Sequence, residues 1–118
     1  MDLDRADVLR IRLPHGEAIA LGPGKAALLE AIQGSGSISA AGRELGLSYR
    51  KAWLMVDQMN QCFREPLVIS VKGGTKGGGA RVTTQGLAVL AAYRDLEAAA
   101  WKALLPGLRG LGALLKRG

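Results

Sequence analysis

The stretch from Ser37 to Phe63, SISAAGRELGLSYRKAWLMVDQMNQCF, constrains the fold more than any other part of the chain. It reads as two helices, Ser37 to Leu45 and Ser48 to about Phe63, joined by the turn Gly46-Leu47. A serine at each helix start can accept a hydrogen bond from an unpaired N–H of the first turn. Gly46 suits the turn because a residue without Cβ tolerates positive φ. Gly42 lies on the same face, where a small residue lets a crossing helix approach closely. In the second helix Ala52, Trp53, Val56, Met59 and Phe63 recur at helical spacing and are expected to face inward. Tyr49, Arg50, Lys51, Leu54, Asp57 and Gln58 are left on the outer face, with Tyr49, Arg50 and Lys51 clustered at its N-terminal end.

On either side of this pair the pattern changes. Val8 to Leu13 alternates as a half-buried strand does, Pro14-His15-Gly16 reads as a turn, and Glu17 to Leu21 as a short return strand. Pro23 then opens a helix to about Gln33, proline being suited to the first helical position, and Gly34-Ser35-Gly36 closes it. Gly22-Pro23-Gly24-Lys25-Ala26-Ala27 formally fits a relaxed dinucleotide-binding fingerprint, but the chain lacks the repeated βαβ units of such a fold. After Glu65-Pro66, Leu67 to Val71 reads as a strand, Lys72 to Gly79 as a glycine-rich cationic loop, and Ala80 to Thr83 as the returning strand. That loop fails the phosphate-cradling pattern, which wants Gly-Lys-Ser/Thr opening a helix. Thr84 to Leu105 is a long helix with a wide apolar surface, suited to a two-fold dimer. Pro106-Gly107 is expected to end it before a leucine-rich tail with a basic end.

The 118 residues argue for one domain, 1–105, with the dimerisation helix 84–105 inside it and 106–118 as a short tail. Cys62 and His15 are the only residues of their kinds, so neither a disulfide, a thiol-based zinc site nor a catalytic constellation is expected. The expectation is therefore a non-enzyme with no cofactor and no bound metal. With no long apolar run and a polar, acidic start, neither a membrane partner nor a signal peptide is expected, and the protein is placed in the cytoplasm. The net charge of +6 is uneven: residues 1–36 carry −1, 37–82 carry +4 and 83–118 carry +3. No acid occurs between Glu65 and Asp95, while Lys72, Lys76 and Arg81 do. Such a surface suits a polyanion, since each neutralised phosphate releases counterions; charge alone equally fits a solvated basic face.

A sharp-turned helix pair followed by a strand, basic loop and strand predicts an α+β, mainly helical chain: a winged helix-turn-helix with an N-terminal β-hairpin and a long C-terminal helix. Its partner would be double-stranded DNA, with helix 48–63 in the major groove and the wing 72–79 on the backbone. The alternative is a winged-helix module that binds another protein.

The quoted residues also carry a family resemblance. GSISAAGRELGLSYRKAW, then Met59-Asn60-Gln61, then GGTKGGGARVTTQG resemble the N-terminal DNA-binding domain of molybdate-dependent, ModE-type transcriptional regulators, over roughly Ala20 to Leu105. The helix pair alone is also similar to that of LysR-type regulators; the glycine-rich wing with Tyr49 and Trp53 favours the first family. The resemblance implies a homodimer that controls genes for molybdenum uptake or use. It implies contacts to DNA from Ser48, Tyr49, Arg50 and Lys51 in the recognition helix, and from Lys72, Thr75, Lys76 and the glycines Gly77 and Gly78 in the wing; Ser37, Leu54 and Arg81 are expected to join them from their places on the same surface. Full-length members add C-terminal oxyanion-binding domains. The chain reaches Gly118 without them, so a separate oxyanion-sensing protein is a further expected partner.

Overall fold

The computed structural model describes residues 3–72 and 79–117. The chain is α+β and mainly helical, in the order α1 (Arg5–Val8), β1 (Leu13–His15), β2 (Ala18–Leu21), α2 (Pro23–Ser35), α3 (Ile38–Glu44), α4 (Tyr49–Cys62), β3 (Val68–Val71), β4 (Gly79–Val82) and α5 (Thr84–Gly112). The strands form two separate antiparallel hairpins, β1–β2 and β3–β4. One apolar core joins α2, α3 and α4 to the second hairpin and the proximal part of α5. Its fully buried large side chains are Leu28, Leu29, Ile32, Met59 and Leu67.

The strand expected from Val8 is corrected. Asp4 caps a single helical turn, Arg5 to Val8, by accepting from the Ala6 N–H at 2.9 Å, so Val8 ends a helix and does not open a strand. The strand starts only at Leu13 and includes Pro14 and His15, which pair with Ile19 and Ala18. A two-stranded ribbon tolerates this proline, since the missing N–H can face away from the partner strand, and the register shifts between Leu13 and Pro14. The turn is Gly16-Glu17.

Packing of α2 against its neighbours is tied by two polar contacts. Lys25 is buried and its ammonium donates to the Ile19 carbonyl of β2; burial lowers its pKa from the usual lysine value. Arg94 of α5 bridges Glu30 of α2 and the buried Glu97 of its own helix. Nearby, the Tyr93 hydroxyl donates to the Ile11 carbonyl at 2.7 Å, holding α5 to the segment before β1. Burial, then the Glu97 carboxylate, raises the Tyr93 pKa above 10.0. A folded-state pKa above the unfolded one gives stability that is present below the unfolded value and is lost as pH rises through the folded one. Tyr93→Phe is expected to cost about 1 kcal/mol at neutral pH and to flatten the alkaline fall in stability, read from urea midpoints at pH 7 and above 10.

The helix that was expected to stop at Pro106 instead runs through it to Gly112. Proline there removes one i→i−4 bond, to the Lys102 carbonyl. Lys102 is exposed, so water can take that carbonyl and the helix is not forced to end. The molecule measures 58 × 30 × 24 Å. Among the described residues no helix is long and apolar enough to cross a membrane.

Candidate nucleic-acid interface

The α3–α4 pair is built by short-range chemistry. Ser37 Oγ accepts from the Ala40 N–H at 3.1 Å and Ser48 Oγ from the Lys51 N–H at 3.0 Å, each capping its helix. Gly46 takes φ +71°, and the Leu47 N–H returns to the Gly42 carbonyl at 2.8 Å. A Cβ on Gly42 would lie 3.1 Å from Ala52 Cβ, so the two helices touch there through their smallest residues. Helix α4 buries Ala52, Met55, Val56 and Met59; Trp53 and Phe63 pack against this core only partly covered, and Met55, which the spacing had not placed inward, joins the stripe on the flank opposite Trp53.

The outer face is open. Tyr49 is 64% exposed and Leu54 48% exposed, and Ser48, Arg50, Lys51 and Asp57 are exposed beside them. Tyr49 meets Trp53 edge-on, with ring centroids 6.2 Å apart and planes at 69°. This contact lays the tyrosine ring along the helix and leaves Arg50 and Lys51 at its lead end. Trp53 Nε1 is buried with no hydrogen-bond partner among the described residues. Ser37 is half-buried and one lone pair of its oxygen is taken by the cap, which leaves its hydroxyl hydrogen and one lone pair.

In the second hairpin the register pairs Val68 with Val82, Ile69 with Arg81, Ser70 with Ala80 and Val71 with Gly79. Alternation buries Ala80 and Val82 and turns Arg81 outward. Lys72 is exposed just after β3. Thr75, Lys76, Gly77 and Gly78 lie outside the described residues. Among the described residues the ion pairs both involve Arg94, so Arg50, Lys51, Lys72 and Arg81 are not neutralised by a carboxylate. No group of three or more His, Cys, Asp or Glu among the described residues could hold a metal ion.

One residue that joins the two halves of this surface was quoted in the sequence only as part of a motif. Asn60, near the end of α4, reaches the start of β3. Its Oδ1 accepts from the N–H groups of Leu67, at 2.8 Å, and Val68, at 3.3 Å, and its Nδ2 donates to the Val68 carbonyl at 3.0 Å. From the other side, the Ala80 N–H of β4 donates to the Gly36 carbonyl at 2.9 Å, at the junction of α2 and α3. Neither link has a local sequence signal, because the partners are set by the fold.

No protein-family model matches the chain. The chain is 43% identical over 97 residues to the molybdenum-pterin-binding protein MopA of Rhodobacter capsulatus, covering 82% of this chain and 37% of that protein. It is 43% identical over 88 residues to the molybdenum transport protein ModE of Azotobacter vinelandii, covering 75% of this chain and 33% of that protein. It is 39% identical over 71 residues to the DNA-binding transcriptional dual regulator ModE of Escherichia coli K12, covering 60% of this chain and 27% of that protein. The chain thus spans roughly a third of the length of these curated relatives, which are named as binding, transport and regulatory proteins.

Proposed function

We propose that the chain is a winged helix-turn-helix DNA-binding module of a molybdenum-linked transcriptional regulator. In this reading α4 is the recognition helix and the β3–β4 hairpin is the wing. The observation that carries the proposal is the exposed cluster Tyr49-Arg50-Lys51, whose cations make no ion pair among the described residues, at the lead end of a capped helix held at a sharp turn. The name of the Escherichia coli relative supports a duplex partner, and the other names support a link to molybdenum.

Arg50 is assigned to a base, since a guanidinium can pair bidentately with guanine O6 and N7; Lys51 and Tyr49 take phosphate or a thymine methyl. Ser48, Leu54 and the Ser37 hydroxyl border the same groove. Lys72 and Arg81, with Thr75, Lys76, Gly77 and Gly78 between them, serve the backbone. Selection of bound duplexes from a random pool, with and without molybdate, tests the proposal. A defined consensus bound with steep salt dependence is expected. Absence of duplex binding at moderate salt would replace it with a protein-interaction module.

A homodimer fits the same reading. The buried stripe of α5, Gly86, Leu90, Tyr93 and Glu97, continues at three- and four-residue steps to Ala100, Leu104, Leu108 and Leu111. Leu104 is 43% and Leu111 66% exposed. Heptad-like spacing of this kind suits another helix, and a two-fold pair suits a palindromic site. Sedimentation is expected to give a dimer, and Leu104→Glu with Leu111→Glu a folded monomer.

A further inference from the structure

We propose that Asn60 is a positioning residue that fixes the angle between α4 and the β3–β4 hairpin, and so decides whether Lys72 and Arg81 reach phosphate while Arg50 reads a base. This rests on the DNA-binding reading above. The geometry is a clamp with two jaws. On one side the Asn60 carboxamide takes the place of a neighbouring strand: both Oδ1 lone pairs and one Nδ2 hydrogen are spent on Leu67 and Val68. On the other, the Gly36 carbonyl takes the Ala80 N–H, and a Cβ at Gly79 would stand 2.6 Å from that same oxygen. The first jaw belongs to the helix that carries Arg50, and the second to the junction that leads into α3. A hairpin hinged only at its connections could swing, whereas these contacts tie it to α4 and to the α2–α3 junction.

The chemistry of Asn60 allows a discriminating substitution. In Asn60→Asp the retained oxygen can still accept from Leu67 and Val68, so the buried N–H groups stay satisfied. The amide donor becomes a second carboxylate oxygen facing the Val68 carbonyl, and that repulsion pushes β3 away from α4. The measurement is duplex affinity across a salt series, with the thermal unfolding curve recorded for each protein. For a folded Asn60→Asp, the slope of log K against log salt is expected to fall in magnitude by about 1 for each cation withdrawn. Preference for the consensus over a mismatched duplex is expected to be retained. Adding Lys72→Ala and Arg81→Ala to this variant is then expected to change the slope little, although the same pair lowers it in the wild-type protein.

A folded Asn60→Asp with the wild-type slope would overturn the proposal, as would a weaker binder whose loss simply adds to that of the Lys72 and Arg81 changes. If Asn60→Asp does not fold, Gly79→Ala strains the other jaw and carries the same expectation. A wild-type chain that binds no duplex would sink the DNA-binding reading itself, and this proposal with it. A wild-type chain that binds normally beside an unchanged Asn60→Asp slope would remove only the role of Asn60.

Discussion

Gly86→Ala is expected to cost about 3 kcal/mol or more of folding stability, the largest loss from adding a single methyl group to α5. Gly86 sits in the first turn of that helix and is buried. An ideal Cβ there would lie 2.3 Å from the Leu67 carbonyl oxygen and 2.6 Å from Val82 Cγ1. The valine could rotate, but the carbonyl cannot yield cheaply. It already accepts from the Thr83 N–H at 2.9 Å and lies 3.3 Å from the Thr83 hydroxyl, which also donates to the Pro66 carbonyl at 2.7 Å. The Thr83 oxygen in turn caps α5 by accepting from the Gly86 N–H at 3.0 Å. A methyl group at position 86 must therefore displace the helix start, its cap and the entry to β3 together. The same change at Gly110 has the opposite expected sign. Beyond the helix's own neighbouring backbone nothing among the described residues lies within 4 Å of its Cβ position, so alanine gains up to about 1 kcal/mol of helix propensity there. Urea denaturation of the two variants measures both; a Gly86→Ala midpoint near that of the wild type would show that α5 does not rest on the Leu67 carbonyl.

What the sequence made legible follows the range of the forces involved. The caps at Ser37 and Ser48 and the Gly46 turn are local, and the structure has them at the expected residues; the expected inner row of α4 holds at Ala52, Val56 and Met59. Elements that depend on distant partners were read less well. The strand expected from Val8 was displaced because β2 offers partners only from Ala18 to Leu21. Pro106 carries a strong local signal to stop a helix, yet the carbonyl it strands and crowds belongs to an exposed lysine, and the helix continues. In the candidate interface the exposed face of α4 was legible from spacing alone. The Asn60 bridge was not, since an asparagine near a helix end has many uses and its partners here, Leu67 and Val68, lie beyond a loop where β3 begins.

Arg50→Ala is expected to lower affinity for the preferred duplex by about 1–3 kcal/mol and to erase much of the preference at one base pair, while leaving stability unchanged. Stability is spared because Arg50 is exposed and makes no ion pair among the described residues, so truncation opens no cavity and strands no buried partner. The loss in binding is specific because a guanidinium at the lead end of α4 matches two acceptors on one guanine, a pattern that no other base presents in the major groove. Lys51→Ala provides the contrast. An ammonium on phosphate is blind to sequence, so its removal should weaken preferred and random duplexes alike and reduce the salt slope by about 1. Competition of each variant against the consensus and its single-base substitutions separates the two effects. Equal loss across all duplexes for Arg50→Ala would move that side chain from base to backbone and shift the reading of the groove to Tyr49 and Leu54, the remaining large exposed side chains of that face.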